Sequence, residues 1–197
     1  MPAAGTLTGP ALMVPGAMTG LFGKLPAHGD FVRRGLPTSF CEPWDAWLQR
    51  GLDAARTALG EVGWAATWDA APAWRFVLPP GACGPDAAAG VMLPSADSVG
   101  RRFPLTLACV RPNGAAATIW PAAWFATLEG VARAGRDQGL DADSLATLLN
   151  APPAANPAEA PEPGWWTAGD ADRPGLVWAL PALPPPDQFL LLLEPGA

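Results

Sequence analysis

Apolar and polar residues alternate or recur at helical spacing along most of this chain, and the pattern divides it into a short series of elements. Residues 19–24 read as a strand that runs into a loop to Pro37, punctuated by glycines and two prolines. Ser39-x-x-Glu42 fits a capping box, and Pro43 is tolerated in a first helical turn. Apolar side chains at Phe40, Trp44, Trp47, Leu48, Leu52, Ala55 and Leu59 then mark one face of a helix that Gly60 is placed to end. Asp45, Gln49, Arg50, Asp53 and Arg56 fall on its opposite, wet face. Trp64 and Trp68, four apart, suit a short helical turn before Pro72.

Three strands follow, 73–78, 88–93 and 103–110, linked by short turns, and they predict an antiparallel meander. Pro121 opens a second long helix through Trp124, Phe125, Leu128, Val131 and Ala132 to about Gly139. Asp141 or Asp143 caps a short helix ending at Leu149. Residues 151–163 carry five prolines and no period, a linker or exposed loop. Residues 175–180 read as another strand. Residues 189–193 suit strand or helix, with Asp187 as a cap favouring helix.

Composition bounds what such a chain does. At 197 residues, half of them apolar, it has the material for one domain with a substantial core. Residues 1–18 read as a disordered leader and 19–197 as one domain, with a Pro-rich acidic loop at about 151–174. The formal net charge is −6, and from residue 141 onward Arg173 stands alone against eight acids. A nucleic-acid partner is therefore not expected, since phosphate backbones are held by many lysines and arginines. Three scattered cysteines (Cys41, Cys83, Cys109) without a CxxC argue for a reducing compartment and against a zinc site. No run of 18 apolar residues occurs, so no membrane insertion is expected and a cytoplasmic location is.

Charge concentrates in two turns. The first is Lys24…His28-Gly29-Asp30-Phe31-Val32-Arg33-Arg34, which holds the only lysine and the only histidine. The second is 94–106, with Asp97 ahead of Arg101-Arg102. If the turns meet, Asp30 and Asp97 pair with arginines and a charged rim of Lys24, Arg33, Arg34, Arg101 and Arg102 remains; as solvated charges these residues would simply shape turns. Catalysis would need His28 with Asp30 and a nucleophile, yet no GxSxG or cysteine-protease signature accompanies them. No phosphate-binding glycine motif is present, and one histidine with dispersed cysteines makes no metal shell. Most of the ten tryptophans lie on apolar faces, whereas Trp165-Trp166, beside Gly164 and the Pro-rich loop, suggest an exposed anchor for a partner or a flap closing over the core.

The two turns carry a resemblance. Gly23-Lys24-Leu25-Pro26-x-x-Gly29-Asp30-Phe31-Val32-x-Arg34-x-Leu36-Pro37, then Phe40-x-Glu42-Pro43-Trp44-Asp45-x-Trp47-Leu48, resembles the opening of the TagF (ImpM) family, accessory proteins of bacterial type VI secretion. Ala73-Trp74-Arg75-Phe76 and Pro94-Ser95-x-Asp97-x-Val99-Gly100-Arg101-x-Phe103-Pro104-Leu105-Thr106 are similar to that family too, over about 19–110. The resemblance implies a three-layer α/β/α sandwich and a cytoplasmic post-translational repressor that binds the forkhead-associated-domain scaffold protein of the secretion system. It implies no catalytic residues, cofactor, metal or small-molecule substrate.

The sequence therefore predicts an α/β domain whose mixed, partly antiparallel central sheet is flanked by helices, and a non-enzymatic regulator. The partner-binding candidates are Lys24, Asp30, Arg33, Arg34, Asp97, Arg101 and Arg102, with Trp165 and Trp166 as a possible exposed anchor. A small hydrolase using His28 and Asp30, or a structural subunit of the secretion assembly, are the alternative functions.

Overall fold

A computed structural model describes residues 17–113, 120–149, 161–169 and 174–194. The expected leader, apart from residues 17 and 18, and most of the Pro-rich loop lie outside them. Seven strands form one sheet: β1 (Met18–Gly23), β2 (Val32–Arg34), β3 (Trp74–Leu78), β4 (Ala87–Leu93), β5 (Leu105–Arg111), β6 (Gly164–Trp166) and β7 (Val177–Trp178), in the order β2-β1-β5-β4-β3-β6-β7. Every neighbouring pair is antiparallel, which corrects the mixed sheet expected from sequence. A long crossover suggests parallel neighbours, but here it carries the chain from β2 to β3, which three other strands separate. The meander β3-β4-β5 is as predicted and brings β5 back against β1.

Period-two alternation sends each strand's side chains to two separate cores. Trp74, Phe76 and Leu78 of β3, with Ala88, Met92, Ala108, Val110 and Trp165, face α1 (Thr38–Ala70) and α4 (Leu190–Leu193). Val77, Ala89, Val91, Leu105, Leu107 and Cys109 face α2 (Ala122–Gln138) and α3 (Ala142–Leu149). Helices thus cover both faces, which is why β4, Ala-Ala-Ala-Gly-Val-Met-Leu, is buried throughout. Among the described residues no helix is long and apolar enough to cross a membrane.

Three local expectations change. Pro37 precedes the first turn of α1 without a side-chain cap bond, and Thr38 instead accepts a hydrogen bond from Arg33 at 2.8 Å, so the Ser39/Glu42 capping box is not formed. Gly60, at φ 65° and ψ 172°, does break the helix, but a second helical stretch resumes to Ala70 because Trp64 and Trp68 are buried on the same core. The 189–193 segment is helical at α4, after a 3₁₀ turn at Pro186–Gln188, without a side-chain cap from Asp187. Phe189 seats against Gly51, where a Cβ would collide with its ring, and Trp47 donates to the Pro184 carbonyl at 2.7 Å, so the C-terminal segment is locked onto α1.

Trp165 and Trp166 are not an exposed anchor. They occupy successive positions of β6 and so point to opposite sides of the sheet. Trp165 is fully buried among Trp44, Trp47 and Phe76, with its indole N–H bonded to the Ala182 carbonyl at 2.9 Å. Trp166 packs against Phe125, ring centroids 4.8 Å apart.

Candidate partner-binding surface

The two charged turns do meet. Ser98 N–H donates to the His28 carbonyl at 2.9 Å, and Lys24 N–H reaches the Pro104 carbonyl at 3.4 Å. The second turn is a tight hairpin: Ala96 bridges Arg102, Phe103 N–H bonds the Ser95 carbonyl, and Gly100 takes φ 82°, a conformation that favours glycine. Trp68 of α1 fastens its base by donating to the Ser95 carbonyl at 3.2 Å.

Asp97 binds the two turns together. Its Oδ2 accepts from Lys24 Nζ at 2.9 Å and from Arg101 Nε at 2.7 Å; its Oδ1 accepts from the backbone N–H groups of Val99 and Arg101 at 3.1 and 2.9 Å. Burial alone would raise the pKa of this carboxyl, but the four donors outweigh it and hold it far below the usual carboxylate range. Lys24 and Asp97 are both buried, so neither belongs to an exposed rim; a charge pair at the junction of two turns needs shelter to be strong. The Lys24 ammonium also lies 5.0 Å from the Phe31 ring centroid.

The remaining candidates lie at the surface, most of them with partners. Arg101 touches the Gly29 carbonyl and lies 3.9 Å from Asp30, whose side chain is 98% exposed. Arg34 pairs with Asp143 of α3 at 2.6 Å, and Arg102 binds both oxygens of Asp69 at the end of α1. Arg33 donates to the Leu36 carbonyl and to Thr38, closing the entry to α1. Arg33 apart, the predicted rim is thus a set of matched charges, weak individually and screened by salt.

Among the described residues no hydrogen bond or ion pair joins His28 to Asp30, and each side chain is directed elsewhere. His28 Nε2 accepts from the Ala142 backbone N–H at 3.0 Å, and Asp141 accepts from Ser144 N–H at 2.7 Å, so the two together secure the start of α3. That Ser144 bond holds Asp141 below its ordinary pKa. Asp141 is therefore the cap that the sequence left open between two aspartates.

Sequence reading missed the apolar part of this surface. Phe31 is half-exposed yet fixed, stacked on Phe22 at 6.1 Å and edge-on to Phe103 at 4.7 Å. Val99, 71% exposed, crowns the second turn. Their signal was an apolar residue set between the aspartate and the arginine pair in each motif. Missed too was the network behind the sheet: Glu129 of α2, buried, bonds Arg75 of β3 at 3.0 Å and Arg133 at 2.7 Å.

Two welded turns thus display aromatic and guanidinium groups on an antiparallel α/β scaffold. The profile of the TagF N-terminal domain, type VI secretion system-associated, matches residues 20–151, and the chain belongs to the TagF family. Among solved structures it is similar to PA0076 from Pseudomonas aeruginosa PAO1, with TM-score 0.74 and 30% identity, over 91% of this chain and 95% of that one. No curated protein matches the chain.

Proposed function

We propose that this chain is a non-enzymatic, cytoplasmic, post-translational repressor of type VI secretion that occupies a surface of the forkhead-associated-domain scaffold protein. One observation carries the proposal: the two family motifs come together through the buried Lys24–Asp97 pair, braced by Arg101 from the surface, and present Phe31 and Val99 between arginines. Rigid aromatic anchors beside guanidinium groups are the composition of binding hot spots, because little conformational entropy is lost when they dock. The matched charges around them steer orientation more than they add affinity.

Calorimetric titration of the purified scaffold tests this. Saturable binding is expected, weakened by Val99→Glu, which alters an exposed position and leaves the fold intact. Arg34→Glu serves as the charge variant, since Arg101 braces Asp97 and its reversal would disturb the turn itself. Absence of saturable binding by the wild-type chain refutes the proposal. His28→Ala should still repress secretion; loss of repression in a folded His28→Ala variant would favour the hydrolase.

A further inference from the structure

Phe103 joins the double turn to a second feature. It walls an open cleft of about 180 Å³ between α1 and the β4–β5 hairpin, lined also by Leu52, Asp53, Arg56, Trp64 and Arg102. The floor is apolar: Leu52, Phe103 and Trp64 are 7%, 5% and 4% exposed. Two guanidinium groups stand around it. Arg102 is fixed by Asp69. Arg56 lies over the Trp64 ring at 4.9 Å and has no carboxylate within 4 Å among the described residues. Asp53 makes no side-chain bond to either arginine. Trp64 Nε1 is buried with no acceptor among the described residues, whereas the indoles of Trp44, Trp47, Trp68, Trp74 and Trp165 each have one.

We propose that this cleft receives an acidic segment of the partner protein, with an aspartate or glutamate carboxylate between Arg56 and Arg102 and a neighbouring apolar side chain on the Leu52–Phe103 floor. An unpaired cation already positioned on an aromatic face gains most from an incoming carboxylate, because its geometry is set before binding. Continuity through Phe103 and Phe31 makes the cleft the extension of the double-turn surface. The inference rests on the partner-binding reading above and specifies its chemistry.

The test compares Arg56→Glu with Arg50→Glu in calorimetry against the scaffold protein. Both reverse an exposed charge on α1, but Arg50 lies outside the cleft. Arg56→Glu is expected to weaken binding roughly tenfold or more and Arg50→Glu to change it far less, with unchanged melting temperatures. Equal effects of the two reversals, or none, overturn the cleft while wild-type binding keeps the partner reading. No wild-type binding removes both. In ¹⁵N-labelled protein, the indole N–H resonance missing from Trp64→Phe should move at saturation with the scaffold. A stationary Trp64 resonance overturns the proposal. So does an equal shift saturated by sodium succinate alone, which would mark a free-carboxylate site, or self-association that Arg56→Glu abolishes, which would mark a second copy as occupant.

Discussion

Replacing Lys24 by Met isolates the contact that joins the two motifs. Methionine keeps the unbranched stem and its packing while removing the ammonium. Lys24 is 7% exposed and its Nζ lies 2.9 Å from the facing carboxylate, so the bond lost is charge-assisted and shielded from water. Hydrogen bonds to charged groups contribute about 1.5–3 kcal/mol net, and the contact with the Phe31 ring adds to that. In a chain of this length 1 kcal/mol moves Tm by about 2–4 °C, so Lys24→Met should melt roughly 3–12 °C below wild type. Thermal unfolding at neutral pH, followed by circular dichroism, reads the shift. Arg34→Met, which removes an exposed pair, should scarcely move Tm. A Lys24→Met protein that melts with or above wild type would refute the view that this buried charge holds the turns together.

Acid should find the same junction. The Asp97 carboxyl has its pKa lowered on folding, so its stabilisation is complete above the unfolded value of 3.8 and is lost as pH falls below it; wild type should lose stability there more steeply than Asp97→Asn. Burial raises the pKa of all three thiols, that of Cys83 to about 12, so native protein at pH 8 should resist alkylation by iodoacetamide until denatured. With folded thiol pKa values above the unfolded 9.0, their contribution is present at neutral pH and drains away as pH rises past 9, seen as a falling urea midpoint. Trp165→Ala should cost about 3–5 kcal/mol by emptying the Trp44–Trp47–Phe76 cluster; an unchanged urea midpoint would restore the exposed-anchor idea.

Long periodic segments were legible in the sequence: α1 up to Gly60, α2 and the meander all lie within a few residues of their predicted places. Short strands were not. β2 is three residues with a single inward side chain, so it offers no alternation to read, and its strand state comes from pairing with β1. β6 is likewise made by its pairing with β3. Two adjacent tryptophans beside prolines look exposed until a strand sends one to each face. The meeting of the turns was foreseeable as a possibility, from the matching Asp and Arg pairs. Burial of Lys24 and Asp97 was not, because only the tertiary contact tells a sheltered ion pair from a solvated one. Arg56 and Trp64 lie on either side of the Gly60 break, and no single helical period relates them.

The family profile ends at residue 151, yet the molecule does not. Past that point β6 takes up the free edge of β3, Trp165 completes the aromatic cluster, and Phe189 fits the notch at Gly51. The stretch matched by the family model and the packed core therefore have different borders. A chain cut at residue 151 would bear the family's signature on a sheet with an open flank and a hollow beside Trp47. Substitutions at Gly51 and Phe189, 138 positions apart, should be tolerated only in concert.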